Sequence, residues 1–138
     1  ISGDQILPRI SSNVSVFPTE PEADPLADWL RSCRQLRDPL PADVLVLPAH
    51  NEPFVGAHAR LQELIDGHEL CLKRVERRLQ SGPQRAVDLF GALFPGTVTS
   101  EVLGFATGES LAHLNCLIAR GRARRRLGPD GVAVYEAV

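Results

Sequence analysis

The apolar and polar positions along the chain predict two strands that each end in a chemically active side chain. Residues 44–47 are four consecutive apolar residues, two of them β-branched, and they stop at Pro48, as a buried strand does. A polar loop carrying His50 follows. The segment at the beginning of the sequence reads as the end of another strand and carries Asp4. Because layered α/β folds place functional groups on loops after rigid strands, the two residues form a candidate Asp/His pair.

Helical spacing accounts for most of the middle of the sequence. After a long loop over residues 7–25, Asp24 is a candidate N-cap for a helix that ends by Asp38, before two prolines. A longer helix is predicted from about Ala57 to the break at Gly82. Its apolar face comprises Leu61, Leu64, Ile65, His68, Leu72, Val75 and Leu79.

The last third of the sequence predicts two further helical segments and a β-hairpin. A short helix covers residues 87–94, and another lies between Thr99 and Arg120, with a buried stripe of Leu111, Leu114, Leu117 and Ile118. Residues 124–127 are predicted to pair with residues 132–137 across a turn rich in Gly, Pro and Asp. Three helices followed by a hairpin is the order of a winged-helix module. We therefore predict two domains, over residues 1–56 and 57–138.

Composition excludes some functions and leaves others open. With 15 basic against 17 acidic residues and a net charge of −2, the surface as a whole is not suited to holding nucleic acid. The three cysteines are widely spaced, which favours reduced, buried thiols in a cytosolic protein. No apolar run approaches the roughly 20 residues of a membrane span, so no membrane partner is expected. A cluster of arginines either contacts phosphate or forms a solvated strand face: Arg120, Arg122, Arg124, Arg125 and Arg126.

The order of several short motifs resembles the C-terminal half of a metallo-β-lactamase-fold hydrolase. These motifs are Gly3-Asp4, Leu47-Pro48-Ala49-His50, the run over residues 54–61, Leu111-Ala112-His113-Leu114, and Gly121 before the hairpin. More narrowly, the sequence is similar to the subgroup with a C-terminal winged-helix-like domain, which includes glyoxalase II-type hydrolases. The resemblance implies an α+β fold, in which residues 1–56 form an incomplete C-terminal part of an αββα sandwich. A mainly helical winged-helix-like domain would follow over residues 57–138.

The resemblance also implies metal ligands. Asp4 would bridge two metal ions, expected to be zinc in the intact protein, His50 would bind the second ion, and His58 would lie in the surrounding shell. The family usually has glycine on both sides of the late histidine, where this chain has Ala49 and Asn51. The family's other ligands come from an H-x-H-x-D-H motif and a further histidine, and the four histidines here contain no H-x-H pair. Zinc catalysis needs three protein ligands, so the chain alone is expected to be inactive and to hold no catalytic residue or further cofactor.

Three functions follow as expectations for the intact protein. The first is hydrolysis of a small-molecule thioester or ester in the cytoplasm by attack of metal-bound hydroxide. The second is a nuclease of the same fold that binds nucleic acid through the arginine-rich hairpin. The third is a non-catalytic winged-helix interaction or dimerisation module over residues 57–138, which leaves a homo-oligomer open.

The same residues also have simpler interpretations. His50 could be a solvated loop histidine and Asp4 a turn residue. His58 could be a residue at the start of a helix with no further role. His68 and His113 lie on or near apolar stripes, where we expect histidines that are satisfied within the core.

Overall fold

Four α-helices precede a two-stranded antiparallel sheet in the computed structural model, which describes residues 1–138. The helices are α1 (Pro25–Arg37), α2 (Ala57–Gln80), α3 (Phe90–Leu93) and α4 (Leu103–Ala119), with a 3-10 turn at Ala86–Leu89 directly before α3. The strands are β1 (Ala123–Leu127) and β2 (Ala133–Ala137). This mixture of helix and strand confirms the predicted α+β class.

Local sequence signals set the bounds of the first two helices. The Asp24 Oδ1 atom accepts a hydrogen bond from the backbone N–H of Ala27 at 3.0 Å, which confirms the predicted N-cap of α1. Helix α2 begins at the predicted residue and ends before Gly82, whose φ of 135° is unfavourable for residues with a side chain. The complete predicted apolar face of α2 is buried, including His68.

The later helices differ in detail from their predictions. The short helix over residues 87–94 is a 3-10 turn followed by one turn of α-helix. In α4, the buried stripe includes Ala112, His113, Leu114, Cys116 and Leu117, whereas the predicted Leu111 and Ile118 lie at its half-exposed margins. The small side chains of alanine and cysteine carry little hydrophobic signal. The burial of His113 confirms its predicted core position, and its Nδ1 atom lies 2.8 Å from the Glu109 carbonyl oxygen.

The terminal hairpin forms close to its predicted bounds. Ala123 pairs with Ala137 and Leu127 pairs with Ala133 at the two ends of the ladder. Gly131 adopts a φ of 77° in the turn, and Gly121 adopts 67° after α4, as a glycine at a helix C-terminus does. Helical segments followed by a hairpin agree with the predicted order, and the winged-helix assignment stays a prediction.

Contacts divide the chain into two compact units. The site unit comprises residues 1–13 and 28–69, and the hairpin unit comprises residues 14–27 and 70–138. Helix α2 contributes residues to both units, so this division does not follow the predicted boundary between residues 56 and 57. That boundary stays a prediction about domains.

The predicted strand over residues 44–47 is extended but not buried on both faces. Val46 is buried, whereas Leu45 and Leu47 expose 58% and 40% of their surfaces. The segment forms isolated bridges, Val46 to Phe54 and Pro48 to Gly3, and no continuous ladder. Alternating burial is the pattern of a strand covered on one face only.

The cysteines and helices bear on two further expectations. All three cysteines are free, with Cys33 and Cys116 buried and Cys71 only half-buried, which corrects the expectation that all are buried. Burial raises the pKa of the Cys33 and Cys71 thiols and so disfavours the reactive thiolate. None of the helices combines the length and hydrophobicity needed to cross a membrane.

Candidate metal centre

Parallel pairing of two short segments brings Asp4 and His50 together. The backbone N–H of Ser2 donates to the Leu47 carbonyl oxygen at 3.0 Å, and the N–H of Ala49 donates to the Gly3 carbonyl oxygen at 3.0 Å. Parallel segments end at the same edge, so the residues that follow each of them become neighbours. The His50 Nε2 atom lies 3.4 Å from the Asp4 Oδ1 atom. The structure therefore places the two predicted ligands side by side.

Backbone conformation on both sides of the pair explains a departure from the family pattern. Gly3, directly before Asp4, has a φ of 54°, and Asn51, directly after His50, has a φ of 67°. Asn51 is the one residue other than glycine with a positive φ. Asparagine tolerates this left-handed conformation better than most residues, so it can occupy a position where the family usually has glycine. An asparagine directly after a loop histidine was the signal in the sequence for this turn.

An ion pair connects the segments that follow Asp4 and His50. The Nε and Nη2 atoms of Arg9 both donate to the Glu52 Oε1 atom, at 2.9 and 2.6 Å. These hydrogen bonds lower the pKa of the Glu52 carboxyl group. The two residues are 43 positions apart, and no sequence pattern indicated their contact. The pair is exposed, so we expect it to contribute little to stability.

The donor atoms of Asp4 and His50 fit a shared divalent cation. Two protein ligands at about 2.0–2.2 Å from a tetrahedral metal are separated by roughly 3.4 Å, and the two donor atoms lie 3.4 Å apart. The structure gives neither side chain another hydrogen-bond partner, and both are more than half exposed, so their donor atoms are accessible. A third ligand is missing, because the chain contains no group of three or more His, Cys, Asp or Glu residues that could hold a metal.

His58 does not join this pair. Its Nε2 atom lies 2.6 Å from the Leu40 carbonyl oxygen, a contact that connects the first turn of α2 to the segment after α1. This contact supports the simpler interpretation of His58 as a structural residue at a helix start. Its predicted place in the shell around a metal stays a prediction.

The arginine-rich hairpin is extensively paired with carboxylates. Arg124 and Arg126 both contact Glu136, at 2.9 and 3.6 Å, and Arg125 contacts Glu22 at 2.7 Å. Arg122 pairs with Glu76. A phosphate would have to displace these carboxylates, so the pairing weighs against nucleic-acid binding by this surface.

Comparisons with known proteins relate the chain to metallo-β-lactamase-like proteins. Residues 72–138 match the family described as metallo-beta-lactamase-like, C-terminal domain. The chain is 29% identical over 122 residues to the probable metallo-hydrolase YqjP of Bacillus subtilis, a match that covers 86% of this chain and 37% of YqjP.

Solved structures match almost the whole chain. A beta-lactamase domain protein from Burkholderia ambifaria shows a TM-score of 0.96 and 41% identity, over 100% of this chain and 41% of that chain. A metallo-beta-lactamase family protein from Thermus thermophilus shows a TM-score of 0.79 and 33% identity, over 99% of this chain and 40% of that chain. The chain thus spans about two fifths of the length of these relatives.

Proposed function

We propose that this chain supplies two metal ligands to a metal-dependent hydrolase. The chain belongs to the metallo-β-lactamase-fold proteins and matches their C-terminal part. The observation that carries this proposal is the 3.4 Å separation of the Asp4 and His50 donor atoms on two paired segments. The description of the Bacillus subtilis relative as a probable metallo-hydrolase supports the reaction class.

Each residue has a distinct role in the proposed site. Asp4 supplies a carboxylate with two oxygens, which suits it to bridging two ions, and His50 supplies its Nε2 atom as a neutral imidazole. The backbone pairing of Ser2 with Leu47 and of Gly3 with Ala49 holds both side chains in position before any ligand arrives. A divalent ion bound here would act as a Lewis acid and would activate water for attack on a carbonyl group.

The remaining ligands, the metal and the substrate extend the proposal beyond this chain. We propose two zinc ions, since imidazole and carboxylate donors suit zinc, with the other ligands supplied by residues that this chain does not contain. The substrate would be a small-molecule thioester or ester, as the resemblance to glyoxalase II-type hydrolases implies. In both substrates the reacting carbonyl develops an oxyanion that a metal ion can stabilise.

Activity of the full-length protein tests this function. Asp4→Ala and His50→Ala should each lower kcat/KM for a hydrolysed thioester or ester by at least about a hundredfold, because each removes a ligand. Glu52→Ala removes a neighbouring exposed carboxylate that pairs with Arg9 and is the matched control, expected to retain activity within a few-fold. Hydrolysis that survives both Asp4→Ala and His50→Ala, or that is unaffected by a chelator, would show that the assignment is wrong.

A further inference from the structure

A groove in the hairpin unit is lined by arginines that have no carboxylate partner. Arg74, Arg77 and Arg78 in the second half of α2 face Gly91 and Ala92 of α3 across a cavity of about 260 Å³. All three arginine side chains are exposed, and the structure gives none of them an ion pair. The spacing of i, i+3 and i+4 puts the three cations on one face of the helix.

Arg74, Arg77 and Arg78 differ from the hairpin arginines because they have no ion-pair partner. An arginine without such a partner can bind an anion without first displacing a carboxylate. Arg124, Arg125 and Arg126 already form ion pairs with Glu136 and Glu22. Asp88, which has a charge interaction with Arg78, accepts two hydrogen bonds from the Arg85 side chain at 3.0 and 2.8 Å and one from the Arg85 backbone N–H at 2.9 Å. These bonds lower the pKa of Asp88, to which Arg78 contributes only a weaker charge interaction. No carboxylate of the chain forms an ion pair with Arg74, Arg77 or Arg78, so the groove presents a positive charge.

The opposite wall of the groove leaves room for a ligand. Gly91 lies in a helix, and a Cβ atom added there would meet no other atom within 4 Å. Ala92 adds only a methyl group. Small residues on one wall and long cationic side chains on the other are an arrangement that admits a compact anion.

We propose that this groove, which we call the arginine groove, binds linked phosphate groups. Guanidinium groups match phosphate oxygens in pairs of hydrogen bonds, and three of them around one small cavity suit a ligand with several negative charges close together. No aromatic side chain lines the groove, so it offers no stacking surface for a base. The recognised chemistry is therefore a chain of linked phosphates, as in a polyphosphate or a nucleoside triphosphate, and a nucleic-acid backbone, whose phosphates are separated by sugars, is expected to bind more weakly. This inference does not depend on the proposed hydrolase.

Calorimetric titration of the chain with sodium tripolyphosphate at low salt tests the arginine groove. We expect saturable binding with one ligand per chain, which weakens as salt screens the charges. Arg77→Ala should lower the affinity about tenfold by removing one charge-assisted contact. Gly91→Glu should lower it further, because it places a carboxylate in the open space of the groove, whereas Gly91→Ala should leave binding within about twofold of the parent.

Two matched controls separate the arginine groove from general charge effects. Gly104→Glu makes the same charge change in α4, at another glycine with open space around it, and should leave the affinity unchanged. Arg124→Ala removes a hairpin arginine and should also have no effect. Parallel titrations with a nucleoside triphosphate and a short oligothymidylate separate the possible sources of the phosphates, and tighter binding of the oligothymidylate than of tripolyphosphate would overturn the proposal. Absence of saturable tripolyphosphate binding, or equal affinity in the parent, Arg77→Ala and Gly91→Glu, would overturn the proposal.

Discussion

The site unit and the hairpin unit use extended backbone in different ways. In the hairpin unit, β1 and β2 are neighbours in sequence and form five paired positions across one turn. In the site unit, Gly3 pairs with Pro48 and Val46 pairs with Phe54 through isolated bridges only. Leu45 and Leu47 remain largely exposed beside these bridges. The candidate ligands therefore lie on segments with few backbone partners, whereas the regular sheet of the hairpin unit carries no candidate catalytic group.

This difference indicates where stability and chemistry reside. Both units contain fully buried residues, such as Leu61 in the site unit and Leu114 in the hairpin unit, but the hairpin unit also has a continuous ladder whose arginines are paired. In the site unit, the first half of α2 contacts the loop that follows Asp4. Arg60 donates to the carbonyl oxygens of Leu7 and Ile10, at 2.7 and 3.0 Å. We expect changes in the hairpin unit to affect unfolding, and changes at Asp4 and His50 to affect ligand binding.

The largest expected effect on stability comes from the hairpin unit. Leu114→Ala should lower the free energy of unfolding by about 2–5 kcal/mol, because Leu114 is fully buried and its truncation leaves a cavity. Urea denaturation measures the loss. Leu103→Ala on the same helix is the control, expected to change stability by no more than about 0.5 kcal/mol, since Leu103 is 45% exposed. Equal effects of the two substitutions would mean that Leu114 does not belong to the packed core.

Hydrogen exchange compares the two units at matched bonds. The Val46 amide donates to the Phe54 carbonyl oxygen and the Tyr135 amide donates to the Gln84 carbonyl oxygen, both at 2.8 Å. We expect the Val46 amide to exchange at least about tenfold faster, because both bridges are isolated but Tyr135 also belongs to the ladder of β1 and β2, whereas Val46 belongs to no ladder. Equal or stronger protection of Val46 would contradict the comparison.

A half-buried carboxyl group, that of Glu109, gives the hairpin unit a pH dependence. Burial raises the pKa of Glu109 to about 7 from its ordinary value of 4.5. The folded protein thus holds this proton more tightly than the unfolded chain does. Its contribution is complete below about pH 4.5 and is lost as the pH rises through 7. Because Glu109 is partly exposed, we expect a loss of about 1–2 kcal/mol after allowance for solvent screening.

Unfolding measured between pH 4.5 and 8 in the parent and in Glu109→Gln tests this dependence. The substitution should remove most of the decline, whereas Glu101→Gln, at an exposed position before the same helix, should retain it. An unchanged decline in Glu109→Gln would assign the effect to other groups.

The smallest expected effect concerns the turn that carries His50. Asn51→Gly should change stability by no more than about 0.5 kcal/mol, because glycine adopts the φ of 67° freely. Asn51→Ala should cost about 1 kcal/mol, since a Cβ atom without a polar side chain disfavours this conformation. Thermal unfolding distinguishes the two. A more stable Asn51→Ala protein would show that the left-handed conformation is not maintained in solution.

Local and long-range signals explain how far the sequence could predict the structure. The N-cap at Asp24, the apolar face of α2 and the hairpin turn depend on residues close in sequence, and all three were predicted. The prediction that residues 44–47 form a buried strand was wrong, because four apolar residues do not reveal whether one or both faces of a strand are covered. The Arg9–Glu52 ion pair depends on chain segments 43 residues apart, for which no pattern existed.

The arginines illustrate a further limit of sequence patterns. The sequence drew attention to the cluster over residues 120–126, where the arginines at 122, 124, 125 and 126 are paired. The sequence drew no attention to the unpaired Arg74, Arg77 and Arg78, which lie on α2 outside its predicted apolar face. Whether a cation is free depends on its neighbours in space, which charge density along the sequence does not reveal.

The claim that Asp4 and His50 are metal ligands is tested most directly by measuring the metal content of the full-length protein and of its variants. The full-length protein, loaded with zinc and dialysed, should retain tightly bound ions. Asp4→Ala and His50→Ala should each lose a large part of them, and Glu52→Ala should retain the parent amount. The 138-residue chain alone should bind zinc only weakly, because Asp4 and His50 provide two of the ligands that a tight site needs. Retention of the full metal content by His50→Ala, or a tight stoichiometric site in the chain alone, would contradict the account.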